Sequence, residues 1–257
     1  MQVIAYITDN YCNKNELFML EAKLAEFNFN TKILHYNKIN NISQQALTIN
    51  YLMNNLNKNS ILLCMNNLML TNGFLYIKAD GYHIFTSDNG VTSILRKLRN
   101  PVDFKVFRLK KEHLEDLEKI WQLNFLSVIT VLKGKLSNFF EETDYYKEKY
   151  LSNPQIRTTG FNAKVLFVKE NTNALVFNLK KEDFEEKLKK FSSFKIIFNA
   201  NNLEFDKIDE NIYLTKKEGE PYVCFNEFDL LEVGLYRGNI TQVYSLYENT
   251  VVKVEFY

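Results

Sequence analysis

Apolar and polar positions along the chain fall into two regimes. In the first half, short apolar runs alternate with stretches of helical period. "VIAYI" (3–7) reads as a buried strand. Residues 15–27 follow as a helix, with Leu17, Leu20, Leu24 and Phe27 on one face. "TKILHY" (31–36) reads as a second strand, Ser43 as the cap of a helix running to about Leu56, and "SILLCM" (60–65) as a third strand. "FLYIKADGYHIFT" (74–86) is a hairpin turning at Asp80-Gly81, and 112–133 is one long helix. Strands alternating with helices predict an α/β domain over 1–135 with a mostly parallel sheet.

The second regime is one of short strands broken by turns. They fall at 164–168, 174–179, 193–198, 202–206, 211–215, 221–226, 229–235 and 249–256, interrupted by one helix at 181–191. This spacing predicts a β-barrel-like domain over 161–257, reached through a charged, Tyr-rich connector at 136–160.

Composition narrows the function classes. The 257 residues are 46% hydrophobic, enough for two modest cores, and the net charge is +1. Such a balance offers no strong field for nucleic acid or an anionic membrane, so neither is expected as a partner. No 18-residue apolar run is present, and "MQVIAYITDN" reads as a first strand rather than a signal peptide. Three scattered cysteines (Cys12, Cys64, Cys224) read as reduced thiols, which points to a cytoplasmic chain. The three histidines (His35, His83, His113) lack any metal-ligand spacing, so no metal is expected.

Few residues stand out chemically. Asp9 follows the first strand, where α/β folds place their ligands, and reads either as a ligand group or as an acid at a helix N-terminus near Asn13. Ser87-Asp88-Asn89-Gly90 follows a strand and opens a helix; it reads as a turn with an N-cap, with a functional role for Asp88 and Asn89 left open beside the structural one. His113 falls on a charged helical face and is expected in solvent. The turn in "VKENTNALVFNLKKEDF" (168–184) carries Lys169, Glu170, Asn171, Thr172 and Asn173 without a glycine. Pattern and composition stop at a two-domain protein, α/β then β.

The stretch "EGEPYVCFNEFDLLEVGLYRGNITQVYSLYENTVVKVEF" (218–256) resembles the closing segment of the S-adenosylmethionine (SAM) hydroxide adenosyltransferase family, whose relatives include the SAM-dependent fluorinases and chlorinases. "YITDNYCNKNELFML" resembles that family's "T-T-D-F-G" opening, and "GYHIFTSDNGVTSIL" its "G-x-Y-F-x-x-P-D-N-G-L-L". "NFLSVITVLKGK" falls where a helix ending "A-A-x-L-A-x-G" is expected, and "VLFVKENTNALVFNLKKEDFEE" resembles "V-I-x-I-D-R-F-G-N-x-I-T-N-I". The pieces keep the family's order over almost the whole chain.

The resemblance implies attack of water on C5′ of SAM, giving adenosine and L-methionine, with SAM as substrate and no further cofactor. It also implies a homotrimer, with sites where one subunit's α/β domain meets a neighbour's β domain. Asp9 would hold the ribose hydroxyls and Asn173 the adenine edge. The departures are concentrated in the chemistry. "ILLCMNNLMLTNGF" (61–74) lacks the family's "V-D-P-G-V-G" and following Arg, no "H-G-R-D" occurs in 112–125, and "D-x-S-H" reads His35-Tyr36-Asn37-Lys38. The Asp-Arg-His set implicated in activating water is therefore not found, and no catalytic residue is assigned.

The family Asp that helps bind the methionine amino group is Lys169 here, and the serine of "F-N-S" is Glu227. Exchanging carboxylate for ammonium turns attraction into repulsion, each on the order of 4 kcal/mol at ~4 Å and an effective dielectric of about 20. Lys169 and Glu227, on strands that the resemblance makes neighbours facing one pocket, are expected to pair and close its methionine half. Two functions follow: a SAM hydrolase with a degraded catalytic set, or a non-catalytic protein that binds an adenosine-type ligand or acts as a structural oligomer.

Overall fold

The computed structural model describes residues 2–8, 14–27, 29–36, 39, 41–65, 73–115, 120–198, 203–248 and 250–257. The chain divides into two compact units, Met1–Tyr150 and Leu151–Tyr257.

In the first unit the elements run β1 (Gln2–Thr8), α1 (Lys14–Glu26), β2 (Thr31–Tyr36), α2 (Ile42–Asn55), β3 (Ile61–Met65), β4 (Phe74–Ala79), β5 (Tyr82–Ser87) and α3 (Val91–Arg99). They continue with β6 (Phe104–Leu109), α4 (Lys111–Glu115), α5 (Ile120–Leu132), α6 (Leu136–Phe139) and β7 (Phe140–Glu142). The sheet order is β2-β1-β3-β5-β4-β6-β7. The pairings from β2 to β5 are parallel; β5-β4, β4-β6 and β6-β7 are antiparallel. The expected α/β fold is present, with a sheet that is mixed.

Parallel strands buried on both faces need continuous apolar runs, and Ile4, Ala5, Tyr6 and Ile7 are all fully buried. Ile4, Tyr6, Leu63 and Phe85 face Leu20 and Leu24 of α1 and Leu123 and Val128 of α5. On the opposite face Cys64 meets Gln45 of α2, and α2 packs against α3.

Several local expectations are corrected. The cap of α2 is Asn41, whose side chain accepts from the backbone N–H groups of Ser43 and Gln44. The stretch expected as one helix is helical over its described residues to Leu132, as α4 and α5, and 116–119 lie outside the described residues. His113 is half-buried: it packs edge-on to Phe139 at 5.1 Å and lies 3.1 Å from the Asn138 carbonyl. Within 136–160, Phe140 joins the first core and Gln155–Arg157 pairs in the second sheet.

The second unit comprises β8 (Gln155–Arg157), β9 (Gly160–Val168), β10 (Leu175–Lys180), α7 (Lys181–Leu188), β11 (Phe194–Phe198) and β12 (Leu203–Phe205). After these come α8 (Ile212–Thr215), β13 (Pro221–Phe225), β14 (Leu230–Leu235), α9 (Ile240–Tyr244) and β15 (Val251–Phe256). The barrel-like antiparallel sheet has the order β12-β11-β15-β9-β10-β14-β13, with β8 also on β9. Its first face holds Val165, Leu175, Phe177, Leu231, Val233, Val223 and Val254. A Cβ at Gly160 would overlap the Val254 carbonyl, so only glycine lets β9 approach β15 there. Residues 211–215, expected as a strand, form α8 instead, where the Thr215 hydroxyl bonds back to the Asn211 carbonyl at 2.7 Å.

Candidate functional site

The β9–β10 turn closes with the Lys169 N–H donating to the Ala174 carbonyl at 2.8 Å. Asn173 holds the left-handed conformation, φ 52°. That is the position where the family motif also has Asn, a residue that tolerates this region better than most. Strand alternation then puts Lys169, Ala174, Glu232 and Tyr222 on the face opposite the barrel core.

Lys169 and Glu227 do pair: Nζ and Oε2 are 2.7 Å apart and hydrogen-bonded. They do not lie on neighbouring strands. β10 and β14 intervene between β9 and β13, and Glu227 sits in the β13–β14 turn. To reach Glu227 the lysine side chain has to pass the start of β10, beside Ala174, the small, fully buried residue that its own backbone N–H pairs with.

A second carboxylate meets the lysine. Glu232 Oε2 is also 2.7 Å from Lys169 Nζ, as an ion pair whose alignment is poorer than that to Glu227. Glu232 is 5% exposed, the opposite of Glu227, whose side chain is 42% exposed. Its other oxygen accepts from the Tyr222 hydroxyl at 3.0 Å. The Tyr222 ring lies over its cross-strand partner Gly234, where a Cβ would come within 2.5 Å of the hydroxyl. Phe228 lies 5.9 Å from the ammonium.

Burial alone lowers the pKa of Lys169; the charges of Glu232 and Glu227 outweigh it and hold the ammonium above its ordinary range. Burial, then the Glu232 charge, pushes Tyr222 up, and the same two causes push the Cys224 thiol up to about 12. Tyr222 and Cys224 are therefore neutral at pH 7. The face can hold a positive charge; it offers no activated nucleophile.

Sequence reading missed Glu232. The signal was a lone carboxylate within the apolar strand "LLEVGL" (230–235), which has to find a counter-charge. Asn178, which also matches the family turn, is structural: it accepts from Lys164 N–H at 2.8 Å and donates to the Ser152 carbonyl at 3.0 Å.

In the first unit Asp9 lies outside the described residues, as do Cys12, Asn37 and Lys38. The residue before Asp9, Thr8, ends β1 fully buried, with its hydroxyl 3.1 Å from His35 Nε2 of β2. His35 stacks on Tyr6 at 5.8 Å, and Tyr6 Oη accepts from Asn124 Nδ2 at 3.1 Å. Burial lowers the His35 pKa, opposed by the charge of Glu21, so the imidazole is neutral at pH 7.

Asp88 and Asn89 take up structural roles. Asp88 accepts from Arg108 at 2.7 Å and from the Lys147 N–H at 2.6 Å. Asn89 accepts from the Val91 N–H at 3.0 Å, and Ser93 clasps Lys149 through its N–H and carbonyl, at 2.7 and 2.8 Å. Together they strap residues 145–149 onto the sheet. Among the described residues, no group of three or more His, Cys, Asp and Glu side chains could hold a metal ion.

The fold recurs in solved structures. An uncharacterized conserved protein from Thermotoga maritima matches with a TM-score of 0.73 at 13% identity, over 98% of this chain and 99% of that one. A conserved hypothetical protein from Thermus thermophilus matches with a TM-score of 0.68 at 14% identity, over the full length of both chains. No protein-family model and no curated protein matches the chain. At these identities the likeness is one of fold. Among the described residues, no helix is long and apolar enough to cross a membrane.

Proposed function

We propose that this chain is a SAM hydroxide adenosyltransferase-like protein that binds an adenosine-type nucleoside and no longer accepts the methionine half of SAM. The observation that carries this reading is the Lys169 ammonium, fixed by Glu227 and Glu232 at 2.7 Å each. By the resemblance, the Lys169 position is where a carboxylate would receive the methionine ammonium. A ligand ammonium arriving there meets one that is already bound and charged. The nucleoside side, Asn173 with Asp9, is kept in the sequence, and the family's homotrimer goes with the reading as a proposal.

Calorimetric titration of the purified protein with adenosine and with SAM tests it. Adenosine is expected to bind and SAM to bind at least tenfold more weakly; SAM binding as tightly as adenosine rejects the reading.

A second reading, hydrolysis of SAM by water, is favoured by one observation: the neutral His35 beside Thr8 supplies a base at the carboxyl end of β1. Incubation with SAM and chromatography for adenosine decides it. Adenosine formed above the uncatalysed rate, and lost in His35→Gln, would establish turnover in place of binding alone.

A further inference from the structure

Glu227, Glu232 and Tyr222 form a receptor around one cation. Two carboxylate oxygens lie 2.7 Å from the ammonium nitrogen, one on a buried strand and one at the solvent edge. The buried carboxylate is oriented from behind by the Tyr222 hydroxyl at 3.0 Å, and Tyr222 is itself held by close packing over Gly234. The Phe228 ring lies 5.9 Å from the charge on another side.

None of these groups depends on the lysine's backbone. Lys169 belongs to the β9–β10 turn, whereas the receptor belongs to β13, β14 and the turn between them. The lysine enters as a guest, reaching across Ala174 with four methylenes. The two carboxylates carry a charge of −2 against the guest's +1, so the receptor without its lysine would retain a strong demand for a cation. Its two short contacts require N–H donors, which a quaternary ammonium lacks.

We propose that Glu227, Glu232 and Tyr222 constitute a binding site for a primary ammonium group, occupied in this chain by the side chain of its own Lys169. The lysine is thus a tethered ligand, and an external primary amine binds only when it is removed. This goes beyond the nucleoside reading and does not depend on it.

Lys169→Ala deletes the equivalent of n-propylammonium, which is therefore the probe. The variant is expected to melt at a lower temperature than wild type. n-Propylammonium chloride should restore most of that loss, while tetramethylammonium chloride at equal ionic strength and 1-propanol should not. Wild type should respond equally weakly to all three. Adding Glu232→Gln to Lys169→Ala should abolish the rescue. Should Lys169→Ala not fold alone, the yield on refolding from urea with each additive provides the same comparison.

No rescue by n-propylammonium, or equal rescue by tetramethylammonium or 1-propanol, overturns the proposal. No nucleoside enters this experiment. Its failure leaves the adenosine titration unaffected, and a failed titration leaves the ammonium site standing.

Discussion

Lys169 has two carboxylate partners at equal distance, but they do not carry equal weight. Glu232 is buried and shares its other oxygen with Tyr222, while the Glu227 side chain is 42% exposed. Removing one charge of a buried pair leaves the other uncompensated, at about 3–5 kcal/mol, whereas an exposed pair contributes roughly 0–1 kcal/mol. Glu232→Gln keeps an acceptor for Tyr222 but leaves the buried ammonium with the exposed Glu227 alone, and should lower stability by about 1–3 kcal/mol in urea unfolding; Glu227→Gln, which leaves the buried carboxylate paired, should lower it by less than about 1 kcal/mol. Equal losses would show that burial does not divide the pair as argued. The same asymmetry bears on reopening the methionine side. Lys169→Asp with Glu227→Ser removes the resident ammonium and leaves two carboxylates to receive the methionine ammonium, so SAM affinity should rise, and adding Glu232→Gln should take back part of the gain; a double variant that binds SAM no better than wild type would contradict this. Gly234→Ala adds a methyl 2.5 Å from the Tyr222 hydroxyl, so the ring, which is bonded to Glu232, has to shift. It should destabilise the fold by about 1–3 kcal/mol through overpacking, and Tyr222→Phe in the same background should recover none of that loss, because the ring carbon beneath is equally close.

At the scale of elements, the strap over residues 145–149 is held from a few points. Asp88 takes the Lys147 N–H and Arg108, Ser93 takes Lys149, and Gly90 leaves room for the Lys149 side chain. Asp88→Ala removes both the ion pair and the backbone acceptor. Hydrogen exchange at Lys147 and Lys149 should then quicken by roughly tenfold, the factor that corresponds to ~1.4 kcal/mol of lost local stability. Unchanged exchange at those amides would show that the strap is held elsewhere. The strap was invisible in the sequence because its fixing contacts are long-range: Asp88 and Lys147 are 59 positions apart. The elements that were legible had local causes. β1, β2 and β3 are apolar runs, and the β4–β5 hairpin turns at Asp80 and Gly81, both at positive φ as the Asp-Gly signal requires. Failures came where two local codes competed. Asn41 outranked Ser43 as a cap, "NIYLT" alternates like a strand but folds back through Thr215, and β6 was passed over between two charged segments. The site was half legible. Motif order pointed to Lys169 and Glu227, and only the register that sets Glu232 opposite Cys224 and Val176 revealed the second carboxylate.

At the scale of the whole molecule, both units bury titratable groups in one protonation state, and this shapes stability against pH. In the first unit His83 lies 2.8 Å from the Tyr76 hydroxyl, and burial, then the Lys78 charge, lowers its pKa from 6.5. His35, although exposed, is lowered too, by partial desolvation, with the Glu21 charge opposing it. Folding therefore favours the neutral imidazoles: their contribution is present above pH 6.5 and is lost as pH falls through the lowered values. On the alkaline side the shifts run upward. Burial, then the Asp103 charge, raises Tyr76 from 10.0 to about 12, and burial raises Cys64. In the second unit Cys224 rises from 9.0 to about 12, and Lys169 is raised by its carboxylates against the effect of burial. The folded chain holds these protons more tightly than the unfolded one. Their contribution is complete below the ordinary pKa values and lost as pH rises through the raised ones. Melting temperature should thus plateau between roughly pH 7 and 8.5 and fall on both sides. Calorimetry across this range checks the shape, and two variants assign the limbs. His83→Gln should flatten the acid limb, and Cys64→Ala should delay the alkaline onset without touching the acid one. An acid limb unchanged in His83→Gln, with His35→Gln also silent, would mean that the imidazoles are not what the fold protects.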